Sequence, residues 1–286
     1  MIFIKKNDII YIQNKESGVN NMNEKTLRRV FEHAEYVEHQ LPNYPRIFTA
    51  LQGSQNYGLA DEDSDVDTKT LVIPVFEELV FAKKHISTTL EVAPTIEHAD
   101  VKDVRDMFMC FRKQNINFIE ILFTPYVDVN PIFADHYETL YNHREEIAHL
   151  NRYQALRTMA GCIMEKYHAF NHPYPSIVWK IEKYGYDPKQ LHHMLRIQEF
   201  MTRFFVDGDS YEDCLTPKNP AELLAIKRGS IPYEQACIVR ENVKMWTDNF
   251  LAEWKEKLPN ENNSTTDKLL DDIVMDMFLQ TYNMKR

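Results

Sequence analysis

The stretch LQGSQNYGLADEDSDVDTKTLVIP, residues 51–74, decides how the chain is read. It places five acidic side chains (Asp61, Glu62, Asp63, Asp65 and Asp67) within seven positions. Strands are depleted in aspartate, yet Asp65 and Asp67 lead directly into Thr-Lys-Thr-Leu-Val-Ile, a strand pattern. Side chains two apart on a strand share a face, so Asp65 and Asp67 project together while Val66 turns towards a core. Two such carboxylates repel and raise each other's pKa unless a cation lies between them. Hard oxygen ligands suit Mg²⁺ or Mn²⁺, which also take phosphate oxygens. Two such ions polarise a phosphoryl group and activate an attacking oxygen.

Upstream, RIFTAL (residues 46–51) reads as a buried strand running into Gly53-Ser54 and a short QNYG turn. Backbone N–H groups at such a turn form an anion cradle, glycine allows close approach, and the Ser54 hydroxyl adds a donor. A lone Asp-x-Asp is common and a Gly-Ser pair alone is a turn. The joint order carries the signal: apolar strand, Gly-Ser, ten residues, Asp-hydrophobic-Asp, apolar strand. It predicts phosphate donors at one end of a sheet, with metal-binding carboxylates one strand over.

Working outward, residues 23–40 carry Leu27, Val30, Phe31, Ala34 and Val37 at helical spacing, closed by Pro42 and Pro45. APTIEHADVK (93–102) reads as a third strand, and Asp103 caps a helix with apolar face Val104, Met107, Phe108 and Phe111. FIEILF (118–123) reads as a fourth strand after the turn-prone NIN. Beyond Pro131 helical patterns take over: 136–150, 153–170, 188–205, 220–229, 232–258 and 266–282. The expectation is an α+β protein with a small mixed sheet followed by a mostly helical part. Its divisions are an N-terminal extension or extra hairpin (1–22, with Met22 an alternative start), a catalytic core (23–130) and a helical domain (131–286).

The chain of 286 residues is 44% hydrophobic, with 16 Phe and 15 Tyr, enough for a substantial core. No apolar run approaches a membrane span, and Lys5, Lys6, Asn7 and Asp8 interrupt any signal-peptide pattern. Cys110, Cys162, Cys214 and Cys237 show no paired spacing, so reduced thiols and a cytoplasmic location are expected. The formal net charge of −10 disfavours extended duplex DNA as a partner.

The motif resembles the nucleotidyltransferase superfamily that includes DNA polymerase beta, whose pattern adds a third acid on a later strand. GSQNYGLADEDSDVD (53–67) is more closely similar to the RlaP-like predicted nucleotidyltransferases, many encoded by bacteria and phages. DVRDMFMCFRKQNINFIEILFTP (103–125), KYGYDPKQLHHMLRIQEF (183–200) and LLAIKRGSIPYEQA (223–236) extend the likeness over residues 46–235. The resemblance implies transfer of an NMP from an NTP to an acceptor hydroxyl, with two Mg²⁺ or Mn²⁺ ions on Asp65, Asp67 and a third acid. Asp100 fits the hydrophobic-acid-hydrophobic form best, and Glu97 is the reserve candidate. Gly53, Ser54, Tyr57 and Gly58 become nucleotide contacts. The location becomes the host cytoplasm if the gene belongs to a phage.

In the helical half, Asp187, Pro188 and Gln190 form a capping-box arrangement. Lys189, His192, His193 and Arg196 then fall on one helix face, with Leu191, Met194, Leu195 and Met201 on the other. A polar outer face explains that pattern without function. With the resemblance, Lys189 is the foremost triphosphate contact, followed by Lys180 and Arg196. Tyr184 and Tyr186 are candidates to stack on a base or to pack in the core. The rival readings are a catalytically silent nucleotide-binding or antitoxin-like module, and, less well matched, a metal-dependent phosphohydrolase. The acceptor (nucleic-acid end, small molecule or protein) and the preferred NTP are not encoded in any motif.

Overall fold

The computed structural model describes the backbone of residues 2–6 and 9–13, and the full residues 23–60 and 64–283. Asp61, Glu62 and Asp63 of the acidic cluster, and Met22, lie outside the described residues. The chain is α+β. Seven strands form one mixed sheet in the order β1-β2-β7-β3-β4-β6-β5. These are β1 (Ile2–Lys6), β2 (Ile9–Gln13), β3 (Arg46–Gln52), β4 (Asp67–Val72), β5 (Ser87–Val92), β6 (Glu97–Asp103) and β7 (Val127–Val129). Only β4 and β6 pair in parallel; the other neighbours are antiparallel. The N-terminal stretch takes the hairpin option, its second strand joining the sheet through Ile10 opposite Val129.

The helix Glu24–Gln40 begins where Asn23 accepts the N–H groups of Lys25 and Thr26. It covers one face of the sheet: Val30 packs with Leu51 and Val66, and Val37 with Val72, Val92, Ala99 and Val101. The opposite face carries Phe48, Ala50 and Leu71 into the main core. That core takes Val104, Met107, Phe108 and Phe111 from helix Val104–Arg112, and continues without a break through Met194, Phe200 and Phe204 to Met277 of the last helix. Asp103 caps its helix as its position implies, accepting the Arg105 N–H at 2.8 Å.

FIEILF is not a strand. It forms helix Ile116–Ile119 and a 3₁₀ turn, Glu120–Leu122. Gln114 takes a left-handed φ of 53° that ends the preceding helix, and Asn115 accepts the Asn117 N–H to start the next turn. Ile116, Ile119 and Leu122 then point into the core at a spacing of three, which an unbroken apolar run does not distinguish from a strand. The strand that fills the sheet is the short VDV just beyond. Likewise β5 falls in the segment read as a connection. It is an edge strand whose exposed and half-buried residues alternate without a strong apolar signal.

The helical predictions hold in the second half: Arg152–Ala169, Pro188–Thr202, Pro220–Lys227, Tyr233–Lys255 and Ser264–Thr281 are all helices. Among the described residues no helix is long and apolar enough to cross a membrane.

Candidate active site

The site lies at the end of the β3–β4 pair. Gln52, the last residue of β3, is opposite Asp67, the first of β4, so the antiparallel register itself sets Asp67 beside the Gly53–Ser54 bend. Val66 is buried against Val30 and Leu51, under the first helix. Asp65, just before the strand, is exposed, and Asp67, its first residue, is half-buried. Asp67 Oδ1 accepts the backbone N–H of His98 at 3.0 Å, with His98 Nδ1 3.5 Å away. The Gln55 side chain reaches from the bend to the Asp65 carbonyl at 3.4 Å.

The bend has the form that only glycine adopts readily. Gly53 sits at φ 94°, ψ −157°, and Gly58 at φ 68° closes the turn by donating its N–H to the Ser54 carbonyl. Residues Ser54–Tyr57 make one 3₁₀ turn. The Gly53 N–H is not open to a ligand; it donates to Glu120 Oε1 at 3.2 Å. The cradle expected from backbone amides is therefore narrower than the motif suggests. Tyr57 is buried, and its hydroxyl donates to Glu120 Oε2.

The parallel β4–β6 register separates the two candidates for a third acid. Lys69 is opposite Asp100, which places Asp100 on the same face as Asp67. Both oxygens of Asp100 face lysines: Lys69 Nζ is 2.8 Å from Oδ2 and Lys102 Nζ 3.9 Å from Oδ1. Lys69 also lies 4.0 Å from the centroid of the Phe118 ring. Glu97 belongs to the opposite face. It accepts from Arg29 Nε at 2.8 Å, from the Val66 N–H at 3.2 Å and from Thr95 Oγ1 at 3.1 Å, and lies 3.4 Å from His33 Nε2. Burial opposes its ionisation, but Arg29, the Val66 N–H and His33 together hold its carboxyl below the ordinary range. Glu97 is thus a half-buried tie between the first helix and β6. Its sequence neighbourhood does not reveal this, because its partners are about thirty and seventy positions away.

Among the described residues no three His, Cys, Asp or Glu side chains are grouped to hold a metal ion. Asp65 and Asp67 are of the ligand chemistry suited to a Mg²⁺-type ion, which commonly takes one or two carboxylates and completes its shell with phosphate oxygens and water. The donor set does not fit a second ion through Asp100 while the lysines hold it.

Helix Pro188–Thr202 reaches the bend from the other side. The guanidinium of Arg196 lies 4.2 Å over the Tyr57 ring. Arg196 is buried, and its Nε and Nη1 meet no hydrogen-bond partner among the described residues. Lys189 is exposed near the start of the helix. Lys180 lies 3.5 Å from the buried Asp187, which caps that helix by accepting the Lys189 N–H at 3.1 Å and the Gln190 amide at 2.8 Å. His192 leaves the expected basic face: it is buried, with Nδ1 2.8 Å from the Leu223 carbonyl, and burial lowers its pKa to about 4. His193 remains near Arg196; burial and the cations Arg196, Lys189 and Lys166 push it far below the usual histidine range. Tyr186 packs against Phe170 and donates to the Ile231 carbonyl, and Tyr184 packs over Gly229, so both serve the fold. Glu120 is the residue that motif reading passed over. A single acid inside the apolar run FIEILF was the available signal.

No family model matches the chain, and no curated protein matches it. Among solved structures it is similar to the crystal structure of a nucleotidyltransferase-like protein from Exiguobacterium sibiricum 255-15. The identity is 12%, the match covers 90% of this chain and 76% of that one, and the TM-score is 0.28. At that TM-score the likeness says nothing about activity.

Proposed function

We propose that this protein is a metal-dependent nucleotidyltransferase that moves a nucleoside monophosphate from an NTP to an acceptor hydroxyl, releasing pyrophosphate. One observation carries the reading: the β3–β4 register sets Asp67, with Asp65 two residues before it, beside the Gly53–Ser54 bend. Asp65 and Asp67 hold a single Mg²⁺ or Mn²⁺ ion. When bound, that ion supplies positive charge to the polyphosphate. Ser54 donates to a phosphate oxygen, and Arg196 and Lys189 provide cationic partners from the helical half. Lys180 is the weaker candidate, because Asp187 already occupies it. Tyr57 and Gly58 act through the shape of the bend. Asp100, its charge balanced by Lys69 and Lys102, is a neighbouring acid and not a ligand in this arrangement. Catalysis of this kind rests on positioning and electrostatics. The acceptor is a nucleic-acid end, a small molecule or a protein hydroxyl.

The test is incubation with each α-labelled NTP, Mg²⁺ or Mn²⁺ and cell extract, following where label goes. Label transfer is expected, and expected to vanish in Asp65→Asn/Asp67→Asn with an unchanged melting temperature. Undiminished transfer by that variant overturns the proposal.

The lysine-held Asp100 favours a second reading, a catalytically silent nucleotide-binding or antitoxin-like module on the same fold. Calorimetry with Mg²⁺ and each NTP separates the two: metal-dependent binding with no turnover of label selects the module.

A further inference from the structure

Arg196 is 6% exposed and Glu120 3% exposed, and both meet Tyr57, Arg196 over the ring face and Glu120 at the hydroxyl. A buried charge without a partner is costly, and two opposite buried charges that meet the same side chain are expected to pair. Here they do not. The Glu120 oxygens are engaged by the Gly53 N–H and the Tyr57 hydroxyl. Arg196 rests on the face of the same tyrosine, with Nε and Nη1 unmatched among the described residues. Burial and the nearby carboxylate push the Tyr57 phenol well above its usual range, so it stays a proton donor. The other charged and titratable groups around this point are His192, His193, Lys189, Lys166 and Cys162 on the Arg196 side, with Glu165 beside Cys162, and Tyr211 and Glu145 near Glu120.

We infer that Tyr57 is a positioning residue that keeps Glu120 from pairing with Arg196, and that the guanidinium held open in this way receives a phosphoryl group of a polyphosphate at the Gly53–Ser54 bend. The inference rests on reading the bend as a polyphosphate site, and it assigns the site's anion receptor to Arg196 rather than to Lys189 or Lys180. An arginine prevented from pairing internally pays no ion-pair breakage when the ligand arrives, which is preorganisation for anion capture. Removing only the hydroxyl leaves the ring beneath Arg196 but frees the Glu120 carboxylate to turn and occupy the guanidinium.

The test is a metal-free calorimetric titration with tripolyphosphate, with thermal melts as a check on folding. The wild type binds. Arg196→Met loses about tenfold or more in affinity, as expected for a charge-assisted contact. Tyr57→Phe loses a similar factor because Glu120 closes the receptor. Tyr57→Phe/Glu120→Gln regains affinity, a non-additive rescue that a packing defect does not produce. Glu120→Gln alone binds at least as tightly as the wild type. Absence of wild-type binding, unchanged binding in Arg196→Met or Tyr57→Phe, or failure of the double variant to recover overturns the inference. Should Tyr57→Phe not fold, Glu120→Gln decides: weakened binding sinks the proposal. Asp65→Asn/Asp67→Asn separates this from the activity itself. That variant abolishes transfer while tripolyphosphate still binds, so loss of the catalytic reading leaves the anion receptor standing.

Discussion

Replacing Glu97 by glutamine discriminates a structural tie from a catalytic acid. Glu97 is 13% and Arg29 17% exposed on their side chains. The substitution leaves an oxygen to accept the Val66 N–H but removes the charge that faces Arg29. Hydrogen bonds to charged groups contribute about 1.5–3 kcal/mol, and breaking a fully buried pair costs about 3–5 kcal/mol. Arg29 keeps Glu32 as a partner, and water reaches both ends, so about 2 kcal/mol is expected. For a chain of 286 residues that lowers the melting temperature by about 3 °C. The pH dependence has a definite sign. The folded carboxyl titrates below its ordinary 4.5, so the wild type holds its full advantage above the unfolded value. That advantage disappears as pH falls through the lower folded value. Thermal melts of wild type and Glu97→Gln are therefore separated at pH 7 and converge at strongly acidic pH. Label transfer, measured well below the melting temperature, is retained because Val66 still anchors Asp65 and Asp67. An unchanged melt together with abolished transfer refutes the face assignment and makes Glu97 the missing acid.

Three further outcomes follow from the same geometry. His192 is held neutral, with a folded pKa of about 4 against an ordinary 6.5; stability therefore falls by about 3 kcal/mol as pH drops from 6.5 to 4, and denaturant melts of His192→Gln lack that part of the decline. Gly53→Ala costs about 1–3 kcal/mol although nothing lies within 4 Å of the added Cβ, because its φ of 94° is strained for any L side chain; an unchanged urea midpoint contradicts it. Lys69→Met removes the ammonium between Asp100 and the Phe118 ring; it destabilises by about 2–3 kcal/mol and strengthens Mn²⁺ binding by freeing Asp100, and equal Mn²⁺ affinity in calorimetry places Asp100 out of reach of the ion.

Spacing along the chain was enough for much of this molecule. Helical periodicity located the first helix and those of the second half, and alternation around Val66 correctly turned that residue into the core. The caps at Asn23, Asp103 and Asp187 act over two or three residues, so short-range chemistry specifies them. What failed locally was the apolar run FIEILF, where hydrophobicity without a period leaves helix and strand equally open.

The tertiary structure decided the rest, because pairing register is a relation between distant segments. Local pattern ranked Asp100 ahead of Glu97 as the third acid but carried nothing about the partners of either. Only the parallel alignment of β4 with β6 gave one to Lys69 and Lys102 and the other to Arg29 and His33. Arg196 was visible as a basic residue on a helix, but its burial against Tyr57 and its separation from Glu120 depend on three elements meeting. Charge and spacing belong to the sequence; whether a charge is paired, buried or left open depends on which remote side chains the fold brings within a few ångströms of it.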